Sequence, residues 1–130
     1  MRAVILVWLL LATPVAAQTP ITPEALLDRL VGGSATFTDR ASGTHVGVEY
    51  FPSRERSFWL GRGGRCTYGE MTIEAGALCF RYDDRPEEQH CWLPFEEDGE
   101  LGYVSVTTGE VQTIRTMQGI PGGCTEGLSS

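Results

Sequence analysis

The cysteines are the side chains whose type and spacing carry the clearest chemistry. An even set of cysteines in a short exported chain is normally a disulfide framework. The alternative is a metal site in which His45 and His90 join the same thiols, but the C-x-x-C spacing of zinc sites is absent from the sequence. We therefore predict disulfides and no metal ion. The set comprises Cys66, Cys79, Cys91 and Cys124.

Two of these cysteines flank a turn-forming segment. Cys79 and Cys91 lie in aromatic-rich runs on either side of residues 83–88, which read DDRPEE. If that segment is a hairpin loop, the two cysteines lie opposite each other on neighbouring strands, which leaves Cys66 with Cys124. Four cysteines allow three pairings, and the other two stay open at this point.

A nucleophile beside a base is the next chemistry to consider. Ser42 and His45 are close in sequence, but no G-x-S-x-G elbow surrounds the serine, and a turn around Ser42 and Gly43 accounts for it. Acidic residues are abundant, yet they lie in predicted loops and turns, where solvation explains them without a glycosidase-type pair. The EF-hand spacing of a calcium loop is also absent. These acids are Asp83, Asp84, Glu87, Glu88, Glu96, Glu97, Asp98 and Glu100. We expect no catalytic residues and no cofactor.

Charge is unevenly distributed along the chain. The net charge is −7 at pH 7, which argues against a nucleic-acid partner, because such proteins carry a basic surface. Residues 52–66 hold four arginines and one glutamate, whereas residues 83–100 hold eight acids and one arginine. A dipolar surface of this kind can steer a charged partner. The R-G-G-R turn at 62–65 is the favoured part, since glycine lets backbone amides join guanidinium groups around an anion. The binding candidates are Arg54, Arg56, Arg62 and Arg65.

Helix and strand signals place these residues in one small β domain. A helix is predicted after Thr22, a good N-cap, with Pro23 in its first position, and the helix ends at residues 32–33, which are both glycine. Short β-rich runs then recur about every eight to twelve residues. Hairpin-turn residues lie between pairs of runs at Ala75-Gly76, Asp98-Gly99 and Thr108-Gly109. Strands are predicted near 35–39, 45–51, 56–60, 66–74, 77–82, 89–95, 101–107 and 110–117.

The predicted fold is mainly β. It is an antiparallel meander of about 7–8 strands with one short N-terminal helix, and it forms a small barrel or a sandwich so that its edge strands are hidden. The barrel is favoured. Alternation of apolar and polar residues predicts a buried face of Val46, Val48 and Tyr50 in one strand and of Val104 and Val106 in another.

The large aromatic side chains are predicted to fill the core and to form cross-strand pairs. A small domain needs most of its large side chains for its own interior, so a ligand cavity lined by them is the less favoured alternative. The residues concerned are Phe58, Trp59, Phe80, Trp92, Phe95 and the tyrosines.

The N-terminal segment has the pattern of a secretory signal peptide. Arg2 precedes an apolar run at residues 3–12, and Val15-Ala16-Ala17 supplies small residues for cleavage after Ala17. The run is too short for a membrane-spanning helix, which needs roughly 20 apolar residues. We expect a signal peptide at 1–17 and a single disulfide-stapled domain at 18–130 with a loose C-terminal tail at about 119–130. The mature protein is then periplasmic or secreted, with no membrane span.

One stretch resembles a known group of domains. Residues 76–82 (GALCFRY), followed by residues 90–92 (HCW), resemble the LCF-x-Y … CW core of small exported alphaproteobacterial β-domain families of unknown function. Residues 39–43 (DRASG) and 49–51 (EYF) are similar to the part that precedes this core. The resemblance covers residues 25–107. It implies an exported β domain and assigns no catalytic residues.

The sequence thus favours a monomeric, non-enzymatic binding domain. Its partner is an envelope protein, another protein or a small molecule, and neither a nucleic acid nor a membrane span is expected. A proteinase inhibitor of the small-barrel type, in which pre-organisation of a rigid segment supplies affinity, is the first alternative. The second is a small periplasmic hydrolase, for which Ser42 and His45, or two loop carboxylates, have to meet in a concave pocket.

Overall fold

The computed structural model describes residues 18–119 together with Leu11 and Cys124. The predicted signal peptide at 1–17 lies outside the described residues apart from Leu11. The predicted C-terminal tail at 119–130 lies outside them apart from Gly119 and Cys124.

The described residues form one helix and nine strands. The helix and eight strands that the sequence predicted are confirmed, with bounds within two residues at each end, whereas β1 was not predicted. The elements are β1 (Thr19–Pro20), α1 (Pro23–Leu30), β2 (Ser34–Asp39), β3 (His45–Tyr50), β4 (Arg56–Gly61), β5 (Cys66–Glu74), β6 (Ala77–Tyr82), β7 (His90–Glu97), β8 (Glu100–Ser105) and β9 (Val111–Met117). Helix α1 is short, and no helix in residues 18–119 is long and apolar enough to cross a bilayer.

Strands β2 to β9 follow one another as antiparallel neighbours. Strand β9 then pairs back onto β2, so these eight strands close into an up-and-down barrel. The barrel prediction is therefore confirmed, and closure leaves no free edge in the main sheet. Strand β1 is an addition beside β7, where Thr19 pairs with Glu96 and Pro20 pairs with Phe95.

Two tight hairpins are made by residues in the left-handed backbone region. The φ angles are 49° and 79° at Ala75 and Gly76, and 51° and 78° at Asp98 and Gly99. Two consecutive positive φ angles are what a type I′ turn requires, and its twist matches that of the flanking strands. The predicted turns between β5 and β6 and between β7 and β8 are confirmed. Gly109, with a φ of 75°, lies in the third, between β8 and β9.

Turns of an up-and-down barrel alternate between its two ends. Helix α1 and the turns after β3, β5 and β7 lie at one end, which we call the helix end. The turns after β2, β4, β6 and β8 lie at the other end, which we call the open end. Thr22 begins the helix as predicted, because its Oγ1 accepts a hydrogen bond from the backbone N–H of Ala25 at 3.1 Å.

The helix end contains the apolar core. Three leucines of α1 pack against inward-facing side chains of the barrel, and each of these leucines is at most 2% exposed. Burial of one such side chain contributes roughly 1.5–3 kcal/mol. Helix α1 therefore closes this end of the barrel. The principal members are Leu26, Leu27, Leu30, Phe51, Met71, Leu78 and Phe80.

The predicted buried face is wrong for β3. Gly47, Glu49 and the following Phe51 are buried in the interior, whereas Val48 and Tyr50 lie on the outer face. A bulge opposite the Phe37/Thr38 step of β2 leaves Val46 without a β2 partner, and Val46 also reaches the interior. The alternation rule failed because the interior of this half of the barrel accepts a carboxylate and glycine.

The predicted buried face is also wrong for β8. Leu101 and Tyr103 are 7% and 4% exposed, whereas Val106, beyond the end of the strand, is 57% exposed. Val104 follows the outward alternation of the strand. The valines were chosen for their apolar character, but the barrel fills its interior here with a larger aromatic ring.

The structure contains both disulfides in the arrangement that the hairpin prediction favoured. Cys79 and Cys91 are paired positions of β6 and β7, and Cys66 of β5 is bonded to Cys124. The bridges close loops with sequence separations of 12 and 58 residues. In the loop-entropy picture they contribute about 3 and about 4 kcal/mol, respectively.

Candidate functional site

The open half of the barrel interior contains a cavity of about 190 Å³. Six strands contribute to its wall. At about 30 Å³ per water molecule, this volume corresponds to roughly six waters or a small organic molecule of similar size. The lining residues are Val46, Glu49, Trp59, Tyr82, His90, Trp92, Tyr103 and Gln112.

Glu49 is the buried acid of this cavity. Its side chain is 1% exposed, and the Tyr82 hydroxyl donates a hydrogen bond to it, 2.8 Å from Oε1 and 3.1 Å from Oε2. Burial raises the pKa of Glu49 to about 7, because loss of water penalises the charged form, and the nearby Ser57 and Tyr82 hydroxyls partly oppose this rise. Near neutral pH the carboxyl group is therefore divided between its protonated and ionised forms.

Two further buried polar atoms have no hydrogen-bond partner among the described residues. They are Oγ of Ser57, which lies near enough to Glu49 to lower the pKa of its carboxyl, and Oε1 of Gln112. Gln112 is 4% exposed, and its Nε2 donates to Oε1 of Glu110 at 3.3 Å. An unpaired buried polar atom costs about 1–3 kcal/mol, so folded proteins rarely contain one without a reason.

Stacked aromatic rings connect the core to the cavity wall. Tyr103 stacks on Phe37 with 5.2 Å between ring centroids and on Trp92 with 4.1 Å. Trp59 packs against the same Phe37 at 5.9 Å. These contacts fix both tryptophans of residues 18–119 in the cavity wall. Trp59 and Trp92 pack against the core, as predicted, and they also line the cavity, which was the less favoured alternative.

The other aromatic side chains named in the sequence analysis lie elsewhere. Phe80 belongs to the core at the helix end, as predicted. Phe58 lies on the outer face of β4, where it forms cross-strand pairs with Tyr50 and Tyr68 at centroid distances of 5.9 and 4.8 Å. Phe95 also faces outward, beneath the guanidinium of Arg40. The prediction of core and cross-strand aromatic residues is confirmed for these positions.

Two glycines within strands make room for the cavity wall. A Cβ atom at Gly47 would lie 2.4 Å from Cζ2 of Trp59, and one at Gly69 would lie 2.9 Å from Cε1 of Tyr82. Only residues without side chains let these rings lie against the sheet. Glycine inside a strand pattern is a sequence signal of such a close approach, but it was not used to predict this site. Glu49 carried no such signal, because alternation assigned it to the exposed face.

The cavity adjoins a second depression at the open end. This depression has a volume of about 230 Å³, shares Trp59, Tyr82 and His90 with the cavity, and is also lined by residues of the loop between β6 and β7. Nε2 of His90 lies 3.7 Å from Oε2 of Glu88 in that loop. Part of the acidic stretch therefore forms the rim of the cavity mouth.

The four arginines predicted to bind a partner do not meet. Arg54 lies at the helix end, where its Nη1 donates to Oδ1 of Asp28 at 2.8 Å, and Arg56 begins β4 at the same end. Arg62 and Arg65 belong to the turn at the open end, about 20 Å away at a rise of roughly 3.3 Å per strand residue. A binding role for these four arginines stays a prediction.

The acidic stretch is also divided between the two ends of the barrel. Residues 83–88 are at the open end, whereas the turn at residues 98–99 is at the helix end, because β7 runs between them. Glu96 and Glu97 form ion pairs with Arg29 and Arg40 at 3.3 and 2.8 Å.

Ser42 and His45 do line one depression at the open end, of about 300 Å³, together with Asp39 and Arg62. The hydrolase alternative requires these two residues to lie in one concave pocket, as they do here. However, the Ser42 hydroxyl donates to Oδ2 of Asp39 at 2.6 Å and accepts from the backbone N–H of Thr44 at 3.2 Å. No hydrogen bond joins Ser42 to His45 in this part of the structure. The serine is held in a turn and is not placed against a base.

One group of three potential metal ligands occurs in the described part of the chain. It consists of Glu74, Cys79 and Cys91. Both cysteines are in a disulfide, which removes the thiolates that a metal ion would bind. This group is not a candidate metal centre.

Comparisons with protein-family models, with curated proteins and with solved structures found no match to this chain. The resemblance of residues 76–82 and 90–92 to exported β domains stays a prediction.

Proposed function

We propose that this protein is an exported, non-enzymatic β-barrel that binds a small molecule in the cavity of its open half. The observation that carries the proposal is the pair of buried polar groups that line the cavity, Glu49 and Gln112, of which Oε1 of Gln112 lacks any partner in the described residues. A carboxylate accepts about four hydrogen bonds, and Tyr82 supplies a single donor. A bound molecule with its own donors would satisfy these groups.

The division of the barrel interior supports a small ligand. An eight-stranded barrel is just wide enough to be filled by side chains or to hold one small ligand. Here α1 and the apolar core fill the helix end, while the open half keeps a cavity of about 190 Å³. A stable complex with a folded protein buries roughly 800 Å² on each partner, which an interior cavity of this size does not offer.

The two disulfides support export. Disulfides persist in oxidising compartments such as the periplasm and the extracellular medium and are rare in the cytosol. They also rigidify the scaffold, because the Cys79–Cys91 bridge joins β6 to β7, which both contribute to the cavity wall. A pre-organised site loses less conformational entropy when it binds.

A matched pair of substitutions in β3 tests the proposal. Val46→Phe places a ring in the cavity, whereas Val48→Phe adds the same volume on the outer face of the strand. We would screen small molecules of cationic, neutral and anionic character by ligand-observed NMR and record native mass spectra of protein purified without reductant. We expect binding by the native protein and by Val48→Phe, and loss of binding in Val46→Phe.

Two results would contradict the proposal. One is that no compound of any charge class binds and no adduct accompanies the purified protein. The other is that binding persists equally in Val46→Phe and Val48→Phe, which would place the ligand outside the cavity.

A further inference from the structure

Among the described residues, the acid and the unpartnered polar atom that line the cavity are both hydrogen-bond acceptors, although indole, imidazole and phenol groups also bring donors to its wall. The Glu49 carboxylate and Oε1 of Gln112 both accept, and the single hydrogen bond from Tyr82 is already directed at Glu49. No arginine belongs to the described lining of the cavity, and the sequence contains no lysine. The faces of Trp59 and Trp92 add electron density, which attracts cations.

We propose that the ligand is a small organic primary ammonium ion, an inference that rests on the binding role proposed for the cavity. An ammonium group has three N–H donors. The cavity lining offers three acceptor atoms for them, which are the two carboxylate oxygens of Glu49 and Oε1 of Gln112. The hydrocarbon part of the amine packs against the indole rings that line the cavity.

Other charge classes fit this site less well. An anion would meet the Glu49 carboxylate and the Gln112 carbonyl without a buried positive side chain to balance it. A calcium ion takes six to eight oxygen ligands, and the cavity lining supplies a single carboxylate among aromatic side chains. The volume of about 190 Å³ also exceeds that of a bare ion and leaves room for a ring or a short chain.

Binding of the ammonium ion displaces a proton. A protonated Glu49 loses its proton to solvent as the cation enters, so the complex contains the carboxylate and the ammonium, and one H⁺ is released for each ligand bound. The groups that face Glu49 or the cavity are Ser57 of β4, Tyr82 of β6, His90 of β7 and Tyr103 of β8, with Asp84 and Glu110 nearby at the open end. Burial raises the pKa of Tyr82 and of Tyr103 well above 10, so both stay neutral in the range tested.

Tryptophan fluorescence is a direct probe of this site. The sequence contains three tryptophans, of which Trp8 lies in the predicted signal peptide. With Trp8→Phe the fluorescence comes from Trp59 and Trp92, both in the cavity wall, whether or not that peptide is cleaved. In this background we would titrate the full oxidised chain with benzylamine and with its neutral analogue benzyl alcohol at pH 6 and pH 8. The charge-removing variant is Glu49→Gln, and the matched control is Glu70→Gln, which removes an exposed carboxylate from the outer face of β5.

We expect benzylamine to bind at least tenfold more tightly than benzyl alcohol at pH 8. With the pKa of Glu49 at about 7, the Kd for benzylamine rises about tenfold between pH 8 and pH 6, because the carboxyl must lose its proton on binding. Glu49→Gln loses both the preference and the pH dependence. Glu70→Gln keeps both.

Failure of this inference is distinguishable from failure of the proposed function. If benzyl alcohol binds as tightly as benzylamine and Val46→Phe abolishes both, the cavity is a ligand site but the ligand is not a cation. If benzylamine binds equally well to Glu49→Gln, the ammonium is not held by this carboxylate. If neither probe binds and the wider screen described above is also empty, the proposed function fails together with the inference.

Discussion

The helix end and the open half of the barrel bury side chains of opposite character. At the helix end, Leu26, Leu27 and Phe51 are at most 1% exposed and belong to one apolar core. In the open half, Glu49 and Gln112 are almost as deeply buried, yet the amide oxygen of Gln112 has no partner among residues 18–119 and burial raises the pKa of the Glu49 carboxyl. The first region stabilises the fold, and the second lowers its stability to keep a polar cavity.

The scaffold explains how one small domain tolerates both regions. Closure of eight strands satisfies the backbone of the whole wall, and the two disulfides constrain the unfolded chain. Apolar side chains therefore have to fill only the helix end of the barrel. The two regions are therefore expected to respond differently to substitution.

Truncation of a core ring is expected to have the largest effect. Phe51→Ala should lower the free energy of unfolding by about 3–5 kcal/mol, because it leaves a cavity in a fully packed region. Val46→Ala, beside the existing cavity, should lower it by about 1 kcal/mol. Urea denaturation followed by far-UV circular dichroism measures both. Equal losses would mean that the two halves are packed alike.

Removal of the buried charge is expected to stabilise the protein at high pH. The pKa of Glu49 is about 7 in the folded state against 4.5 in the unfolded chain. The folded state therefore holds the extra proton between these values, and this group lowers stability as the pH rises from 4.5 to 7, by about 3 kcal/mol in total. Glu49→Gln should remove that loss, so the variant gains stability over the native protein at pH 8 and differs little at pH 4.5.

Denaturation of Glu49→Gln and of the control Glu70→Gln at both pH values tests this prediction. The control keeps the native pH dependence. A Glu49→Gln variant that is less stable than the native protein at pH 8 would show that the ionised carboxylate is satisfied within the fold.

Two buried serines give a matched comparison between paired and unpaired hydroxyls. Ser34 and Ser57 are both 1% exposed, but Ser34 donates to the backbone oxygen of Gly119, whereas Oγ of Ser57 has no partner in the described residues. Ser34→Ala should lower the free energy of unfolding by about 1 kcal/mol, and Ser57→Ala should raise it by a similar amount. Thermal unfolding of the two variants distinguishes them by the sign of the change. A loss at both positions would argue that Ser57 is paired.

The smallest effect is expected at an exposed ion pair of the helix end. The side chains of Arg54 and Asp28 are 44% and 71% exposed, so their bond is well solvated. A double-mutant cycle with Arg54→Ala and Asp28→Ala should give a coupling energy below about 1 kcal/mol. A larger coupling would mean that exposed charges help to fasten α1 to the barrel.

Short sequence patterns were sufficient to predict the helix, the barrel strands and the hairpin turns. The Thr22 cap and the Asp98-Gly99 turn act through neighbouring residues, so short patterns specify them. Those patterns did not predict which side chains of β3 face the cavity. Glu49 is inward because of the register of β3 between β2 and β4. That register, and the bulge that turns Val46 inward, depend on contacts between distant segments, which alternation within one strand does not encode.

The pKa of Glu49 is the most direct test of the central claim that the open half is a polar ligand cavity. Carbon-detected NMR of the Glu49 carboxyl, assigned by comparison with Glu49→Gln, follows its protonation with and without saturating benzylamine. We predict a midpoint near pH 7 in the free protein, and a downward shift when the amine binds, because the cation favours the carboxylate. A midpoint close to 4.5 that the amine leaves unchanged would contradict both the burial of this charge and its role in binding.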